Sequence, residues 1–177
     1  ISPCDHLAQL DDFSSGAEAF DPALLAQTVV IKLNGGLRTS MGLQKAKSLL
    51  PVKGEDTFLD IIANQILHLR QETGANVRFL LMNSFSTSQD TLDHMEAYND
   101  QDLSGAEKIE LMQNQIPKID AQTLAPVVWE KNESSEWCPP GHGDLYAALS
   151  GSGWLDALLA DGVKYAFVSN KKGFSKR

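Results

Sequence analysis

The fold class follows from the segment Thr28-Val-Val-Ile-Lys-Leu-Asn-Gly-Gly-Leu-Arg-Thr-Ser-Met-Gly42. Its first six residues are mostly β-branched or apolar and do not alternate strictly, which predicts a strand covered on both faces of a parallel sheet. The glycines and hydroxyls that follow can bring the backbone close to a ligand, since glycine has no Cβ and successive N–H groups can point into a concavity. A tight strand-to-helix turn is the alternative interpretation of the same glycines.

Outward from this segment, strands and helices are predicted to alternate. Such alternation favours an α/β, Rossmann-like, doubly wound and mostly parallel sheet, with a ligand beyond the carboxyl ends of the strands. The predicted strands are Thr28–Leu33, Val77–Met82, Ile109–Gln113 and Tyr165–Ser169. A short helix is predicted from Pro22, capped by Asp21, and a long one over Thr57–Thr73, with a Thr57-x-x-Asp60 capping box and a stop at Gly74. Further helices are predicted over Ser86–Tyr98, capped by Ser or Thr, over Asp144–Leu149, capped by Asp144, and over Trp154–Ala160. Residues 117–140 are predicted to be irregular, with short extended pieces.

The composition limits the classes of function. The 177 residues can bury one core, and a formal charge of −8 argues against nucleic acid as a partner. Two cysteines, Cys4 and Cys138, are too few for a disulfide scaffold, and there is no apolar run near the ~20 residues that span a bilayer and no secretory signal. We therefore expect a cytoplasmic protein with an irregular leader over residues 1–21, a nucleotide-binding part over 22–170 and a basic tail over 171–177.

The glycine loop matches neither of two well-known phosphate-binding motifs. A P-loop would end in Gly-Lys-Ser/Thr, whereas Gly42 is followed by Leu43-Gln44, and Gly-x-Gly-x-x-Gly is absent. Lys47 could neutralise a phosphate, although a lone lysine is most often a solvated surface charge. Met82 lies at a strand end and could equally pack in the core, and Gln113 could be a surface amide. His142 lies between two glycines, a position that favours contact with a ligand. Cys138, His142 and Asp144 lack the further Cys or His pair of a metal site.

Taken together, these segments resemble the UDP-glucose pyrophosphorylase family over about residues 28–170. The motifs that carry the resemblance are Leu33-Asn-Gly-Gly-Leu-x-Thr-Ser-Met-Gly42 with Lys47-Ser48, Thr57-Phe-Leu-Asp60, Leu80-Leu-Met-Asn-Ser-Phe85, Asp90-Thr91, Gln113 with Pro117, and Pro139-Pro-Gly-His-Gly-Asp144. The resemblance implies a fold of the GT-A-like nucleotide-diphospho-sugar transferases. It also implies that UTP and glucose 1-phosphate are converted to UDP-glucose and pyrophosphate with the help of Mg²⁺.

The resemblance also assigns roles residue by residue. It implies a catalytic role for Lys47, which would stabilise the triphosphate and its transition state, and a sugar-phosphate contact for His142. The residues it implies for nucleotide binding are Leu33, Asn34, Gly35, Gly36 (backbone against uracil and ribose), Met82 (beside the base), Gln113 (uracil edge), Gly141 (completing the base site), Lys47 and Asn170.

This sequence departs from the family pattern at two places. Arg38 stands where the family usually has a third glycine, and its side chain would either obstruct the pocket or grip phosphate. After Asn170 the family continues with a metal-binding Asp, whereas Lys171 and Lys172 follow here, so the resemblance supplies no metal ligand. We therefore expect an incomplete, truncated catalytic domain that binds UTP but turns over little. The alternatives are a noncatalytic uridine-nucleotide-binding or interaction module and an unrelated Rossmann-like domain.

Overall fold

The structure is a computed structural model that describes residues 21–36 and 46–170. The expected leader up to residue 20, Arg38 and the basic tail lie outside the described residues. The strands are β1 (Thr28–Leu33), β2 (Pro51–Lys53), β3 (Asp56–Thr57), β4 (Arg78–Asn83), β5 (Glu110–Met112), β6 (Ile116–Pro117), β7 (Trp137–Cys138) and β8 (Tyr165–Asn170). The helices are α1 (Pro22–Ala26), α2 (Phe58–Thr73), α3 (Ser88–Met95), α4 (Ala106–Ile109), α5 (Leu145–Gly151) and α6 (Trp154–Ala160). Short 3₁₀ turns occupy Lys47–Leu49, Glu96–Gln101, Glu133–Glu136 and His142–Asp144.

The central sheet has four parallel strands in the order β5-β4-β1-β8. From β1 the chain adds β4 and β5 on one side and returns to place β8 on the other. The strand order therefore reverses beside β1, which is where open α/β sheets bind ligands, beyond the carboxyl ends of the strands. Two small antiparallel pairs, β2 with β3 and β6 with β7, lie outside this sheet. The predicted doubly wound α/β fold is confirmed.

Each face of the sheet packs against its own layer of helices. Alternate residues of β1 belong to different cores, because successive side chains of a strand point to opposite faces. Val30 joins a core with α2 and the end of α3, whereas Val29 and Ile31 join a core with α5 and α6. In the described part of the chain, no helix is both long and apolar enough to cross a membrane.

Several predicted boundaries are corrected by the structure. The third strand does not begin at Ile109, because a four-residue helix, α4, runs to that residue and β5 starts at Glu110. The second long helix ends at Met95 rather than Tyr98 and continues as a 3₁₀ turn. Thr87 and Asp144 occupy the N-cap positions of α3 and α5, as predicted for a Ser or Thr and for Asp144, but neither side chain makes a capping hydrogen bond. The Asp144 carboxylate instead accepts hydrogen bonds from the backbone N and Nδ2 of Asn114.

The capping box of α2 is confirmed and is part of a larger polar cluster. The Asp60 carboxylate accepts hydrogen bonds from the backbone N and Oγ1 of Thr57, from Tyr98 Oη and, at 2.8 Å, from His94 Nε2. Burial alone would raise the pKa of Asp60, but these hydrogen bonds hold it well below its ordinary value. Burial and the neighbouring Asp60 carboxylate raise the pKa of Tyr98. The cluster ties the start of α2 to the 3₁₀ turn after α3.

Replacing Asp60 with asparagine should destabilise the chain by about 1 to 2 kcal/mol, since an amide offers one acceptor atom where the carboxylate offers two. Because the folded pKa of Asp60 is lowered, its contribution is present above the unfolded value near 3.9 and is lost as the pH falls below it. Urea unfolding at several pH values measures this. The difference from wild type should shrink below about pH 4. Asp93→Asn, at an exposed position on α3, is the matched control. Equal losses for both variants would contradict the role given to Asp60.

Candidate functional site

A cavity of about 360 Å³ lies at the carboxyl ends of the parallel strands. Leu33 ends β1, Met82 lies near the end of β4 and Asn170 ends β8, so three neighbouring strands contribute to its wall. Nine of the ten residues implied by the resemblance line it, together with Pro139. The lining residues are Leu33, Gly35, Gly36, Lys47, Met82, Gln113, Pro139, Gly141, His142 and Asn170.

The glycine loop is held by backbone hydrogen bonds on both sides. Asn34 N donates to Met82 O at 2.7 Å, which extends the β1–β4 pairing by one residue, and Lys47 N donates to Gly36 O at 3.3 Å. A Cβ built on Gly35 would lie 2.6 Å from Gln113 Oε1, closer than real Cβ contacts come. Among the described residues, a Cβ on Gly36 would meet Lys47 Cδ alone, at 3.8 Å. A side chain at Gly35 would therefore force the Gln113 amide to move.

Gln113 is buried, so the interpretation of this residue as a surface amide is wrong. Its backbone N donates to Asn83 O at 2.8 Å, and its Nε2 donates to Gly141 O at 2.6 Å. Because a carbonyl only accepts, this bond fixes the orientation of the Gln113 amide and leaves Oε1 on the side of Gly35. Gly141 has φ 110° and ψ 179°, a conformation that is available essentially to glycine alone. The glycine thus places the carbonyl that orients Gln113.

The cation and the imidazole of the site lie at the exposed side of the cavity. Lys47 opens the 3₁₀ turn Lys47–Leu49, and its side chain is exposed beside Gly36. His142 is also exposed and follows Gly141 directly. Met82 is buried and packs in the core on the α5 and α6 side while also lining the cavity, so both interpretations of that residue hold. The interior of the cavity is therefore formed by the Gln113 amide and the glycines, and the positive charge of Lys47 lies at its mouth.

Asn34 is the predicted site residue that does not line the cavity. Its side chain is buried and turned towards β4 and α3, where Nδ2 donates to Asn83 Oδ1 and Thr91 Oγ1. Asn83 and Ser84 follow the apolar part of β4, and Ser84 Oγ donates to Gly35 O at 2.9 Å. Sequence reasoning gave these polar residues no role, although small polar residues directly after a buried strand are a signal that they face the ligand edge of the sheet.

The chain is similar to enzymes of one kind throughout its length. The family described as UTP--glucose-1-phosphate uridylyltransferase matches residues 2–176. The UTP--glucose-1-phosphate uridylyltransferase of Solanum tuberosum is 42% identical over 175 residues, which are 96% of this chain and 34% of that protein. The probable enzyme of the same name from Schizosaccharomyces pombe is 41% identical over 150 residues, 82% of this chain and 28% of that protein. The chain thus spans about a third of the length of these relatives.

Solved structures show the same similarity in three dimensions. A mutant UDP-glucose pyrophosphorylase from Leishmania major, in complex with UDP-Glc, superposes with a TM-score of 0.83 at 49% identity. That match covers 97% of this chain and 35% of the Leishmania chain. A UDP-glucose phosphorylase structure from Trypanosoma brucei gives a TM-score of 0.86 at 48% identity, covering 97% of this chain and 36% of its own.

Proposed function

The chain belongs to the UTP--glucose-1-phosphate uridylyltransferase family, and we propose that its cavity is the uridine-nucleotide site of such an enzyme. The reaction would join UTP and glucose 1-phosphate into UDP-glucose and release pyrophosphate. Residues 22–170 would form the nucleotide-binding part. The observation that carries the proposal is the fixed Gln113 amide, whose Oε1 faces Gly35 inside the cavity. A cytosolic setting is proposed with it, since the chain has only two cysteines.

The orientation of Gln113 suits a uracil ring. Uracil carries an N–H donor flanked by two carbonyl acceptors, so Gln113 Oε1 would accept from the ring N–H while backbone N–H groups of the glycine loop donate to a ring carbonyl. Cytosine has an acceptor where uracil has that N–H. With its Nε2 held by Gly141 O, Gln113 cannot present a donor there without losing a hydrogen bond. The site would therefore distinguish the two pyrimidines by hydrogen bonding rather than by size.

The mouth of the cavity suits the phosphates. A phosphate oxygen of glucose 1-phosphate would attack the α-phosphorus of UTP, a new P–O bond would form, and the bond to pyrophosphate would break with its electron pair leaving on the pyrophosphate oxygen. Lys47, beside Gly36, would offset the negative charge of the triphosphate and of the transition state. His142, next to Gly141, would donate a hydrogen bond to the sugar phosphate.

The residues that line this cavity do not fit a magnesium ion by themselves. Mg²⁺ is held in proteins mainly through carboxylates, and the lining residues include none. Across residues 21–36 and 46–170, no group of three or more His, Cys, Asp and Glu side chains could hold a metal ion. Mg²⁺ therefore stays an implication of the family resemblance.

The proposal is tested by comparing nucleotides in calorimetry. UTP should bind at least about tenfold more tightly than CTP, because CTP leaves a buried hydrogen-bonding group unpaired, and more tightly than ATP, whose base presents a different edge. Uridine alone should bind more weakly than UTP but keep the preference over cytidine. Binding of CTP or ATP as tight as that of UTP would overturn the assignment of the base site.

A further inference from the structure

A chain of buried polar groups connects the glycine loop to strand β5. Asn34 Nδ2 donates to Asn83 Oδ1 at 2.7 Å, and Asn83 Nδ2 donates to Glu110 Oε1 at 2.8 Å. Asn34 Nδ2 also donates to Thr91 Oγ1 at 2.9 Å, and Ser88 Oγ donates to the same Glu110 oxygen at 2.7 Å. Asn34, Asn83 and Thr91 are all buried. We call Asn34, Asn83 and Glu110 the polar relay.

The carboxylate of Glu110, at one end of the polar relay, determines which atom donates and which accepts in each of its hydrogen bonds. An amide can present either its oxygen or its nitrogen, whereas a carboxylate only accepts. Glu110 therefore requires the Nδ2 of Asn83, which turns the Asn83 oxygen towards Asn34 and requires the Nδ2 of Asn34 in turn. Without the carboxylate, both asparagines could reverse and keep hydrogen bonds of the opposite sense. One charge on β5 thus selects one of two orientations for the side chain that begins the glycine loop.

The Asn34 side chain is one of the anchors that hold the described part of the loop, residues 34–36. Besides the bonds of the Asn34 side chain, three hydrogen bonds join residues 34–36 to the other described residues: Asn34 N to Met82 O, Ser84 Oγ to Gly35 O and Lys47 N to Gly36 O. The Asn34 Oδ1 atom is buried and accepts no hydrogen bond from the described residues, which leaves its amide nitrogen as the side-chain anchor among them. A reversed Asn34 would present its oxygen instead of its amide nitrogen to Asn83 and Thr91, and the hydrogen bonds that hold this residue next to Gly35 would no longer lead to the carboxylate of Glu110.

We propose that Asn83 and Glu110 are positioning residues, which hold the peptides from Asn34 to Gly36 in the conformation that receives the base. They act through Asn34 and do not touch the ligand. The inference rests on the proposed function, since it concerns the same base site. It adds a residue on β5, Glu110, whose side chain lies outside the cavity lining.

Glu110→Gln is the test, because glutamine keeps the shape of the side chain and removes only the fixed acceptor character. Uridine and UTP should both bind about three- to tenfold more weakly, by the same factor, since the base loop is affected and the phosphate contact at Lys47 is not. Thermal unfolding of each variant shows that it is folded. Glu107→Gln, an exposed glutamate three residues earlier, is the matched control and should leave both affinities unchanged.

A double-mutant cycle separates positioning from a general loss of stability. In an Asn34→Ala background, Glu110→Gln should have almost no further effect on uridine affinity, because both changes break the same relay. If Asn34→Ala does not fold, Asn83→Ala takes its place, since it removes the residue that links Asn34 to Glu110. Additive losses, or an unchanged affinity of Glu110→Gln, would overturn the inference. If wild type binds no uridine at all, the proposed function itself fails.

Discussion

Gly35→Ala is expected to weaken uridine and UTP binding on the order of 100-fold while the chain remains folded. The new methyl group would lie 2.6 Å from Gln113 Oε1, so the Gln113 amide must move. Moving it breaks the 2.6 Å hydrogen bond from Nε2 to Gly141 O and withdraws the acceptor proposed for the uracil N–H. A uracil N–H left unpaired inside the cavity costs up to about 3 kcal/mol, which corresponds to the expected factor. Calorimetry with uridine measures the loss.

Gly36→Ala is the matched comparison for stability. Neither glycine is among the residues with positive φ, so an alanine meets no backbone strain at either position, and a Cβ on Gly36 lies in ordinary contact with Lys47 Cδ. Gly35→Ala should therefore unfold a few degrees below Gly36→Ala, about 2 to 4 °C per kcal/mol, because it alone breaks the hydrogen bond from Gln113 to Gly141. The role of the Gly35–Gln113 contact would be refuted if Gly35→Ala bound uridine as tightly as wild type.

Lys47→Ala is expected to cost UTP about 1.5 to 3 kcal/mol of binding free energy, roughly 10- to 100-fold, and to leave uridine nearly unchanged. Its ammonium group lies at the exposed mouth of the cavity, where the phosphates would project from a base held at Gln113. Removing the charge deletes a charge-assisted hydrogen bond to phosphate without touching the base contacts. Titrations of UTP, UMP and uridine should show a loss that grows with the number of phosphates.

Lys53→Ala is the control for net charge, since Lys53 is an exposed lysine of β2 outside the cavity lining. It should leave the affinities for UTP and uridine within twofold of wild type at moderate salt, because exposed charges at a distance are screened. If Lys47→Ala lowered the affinities for UTP and uridine equally, the glycine loop would have moved together with residue 47, whose backbone N donates to Gly36 O.

Local signals made the larger elements of the fold predictable. The apolar run of β1, the Thr57 capping box and the left-handed Gly74 at the end of α2 all depend on neighbours within a few residues. The boundary between α4 and β5 was predicted wrongly because a helix of four residues is too short to show the helical spacing of apolar residues. The pairing of β5 with β4, a contact with a distant segment, sets where the strand begins.

The candidate site was predictable as a set of positions and not as a geometry. The family resemblance named nine residues that line one cavity, but it could not show that Gly141 O orients Gln113 or that Asn34 turns away from the cavity. Those orientations arise from contacts between segments far apart in sequence. Asp144 illustrates the same limit, because its local sequence favours a helix cap while its carboxylate is used by Asn114.

Strand β8 is the least buried of the three strands that form the wall of the cavity. Its pairing with β1 closes a loop of about 140 residues, against about 50 for the pairing of β1 with β4, and the difference in closure entropy amounts to only about 1 kcal/mol. The larger difference between the strands is in burial, because five of the six side chains of β8 are exposed, including Tyr165 and Phe167. Asn170 therefore lies on the least buried strand of the four-stranded sheet, and a nucleotide that contacts both Asn170 and the glycine loop after β1 would add a further link between these two strands.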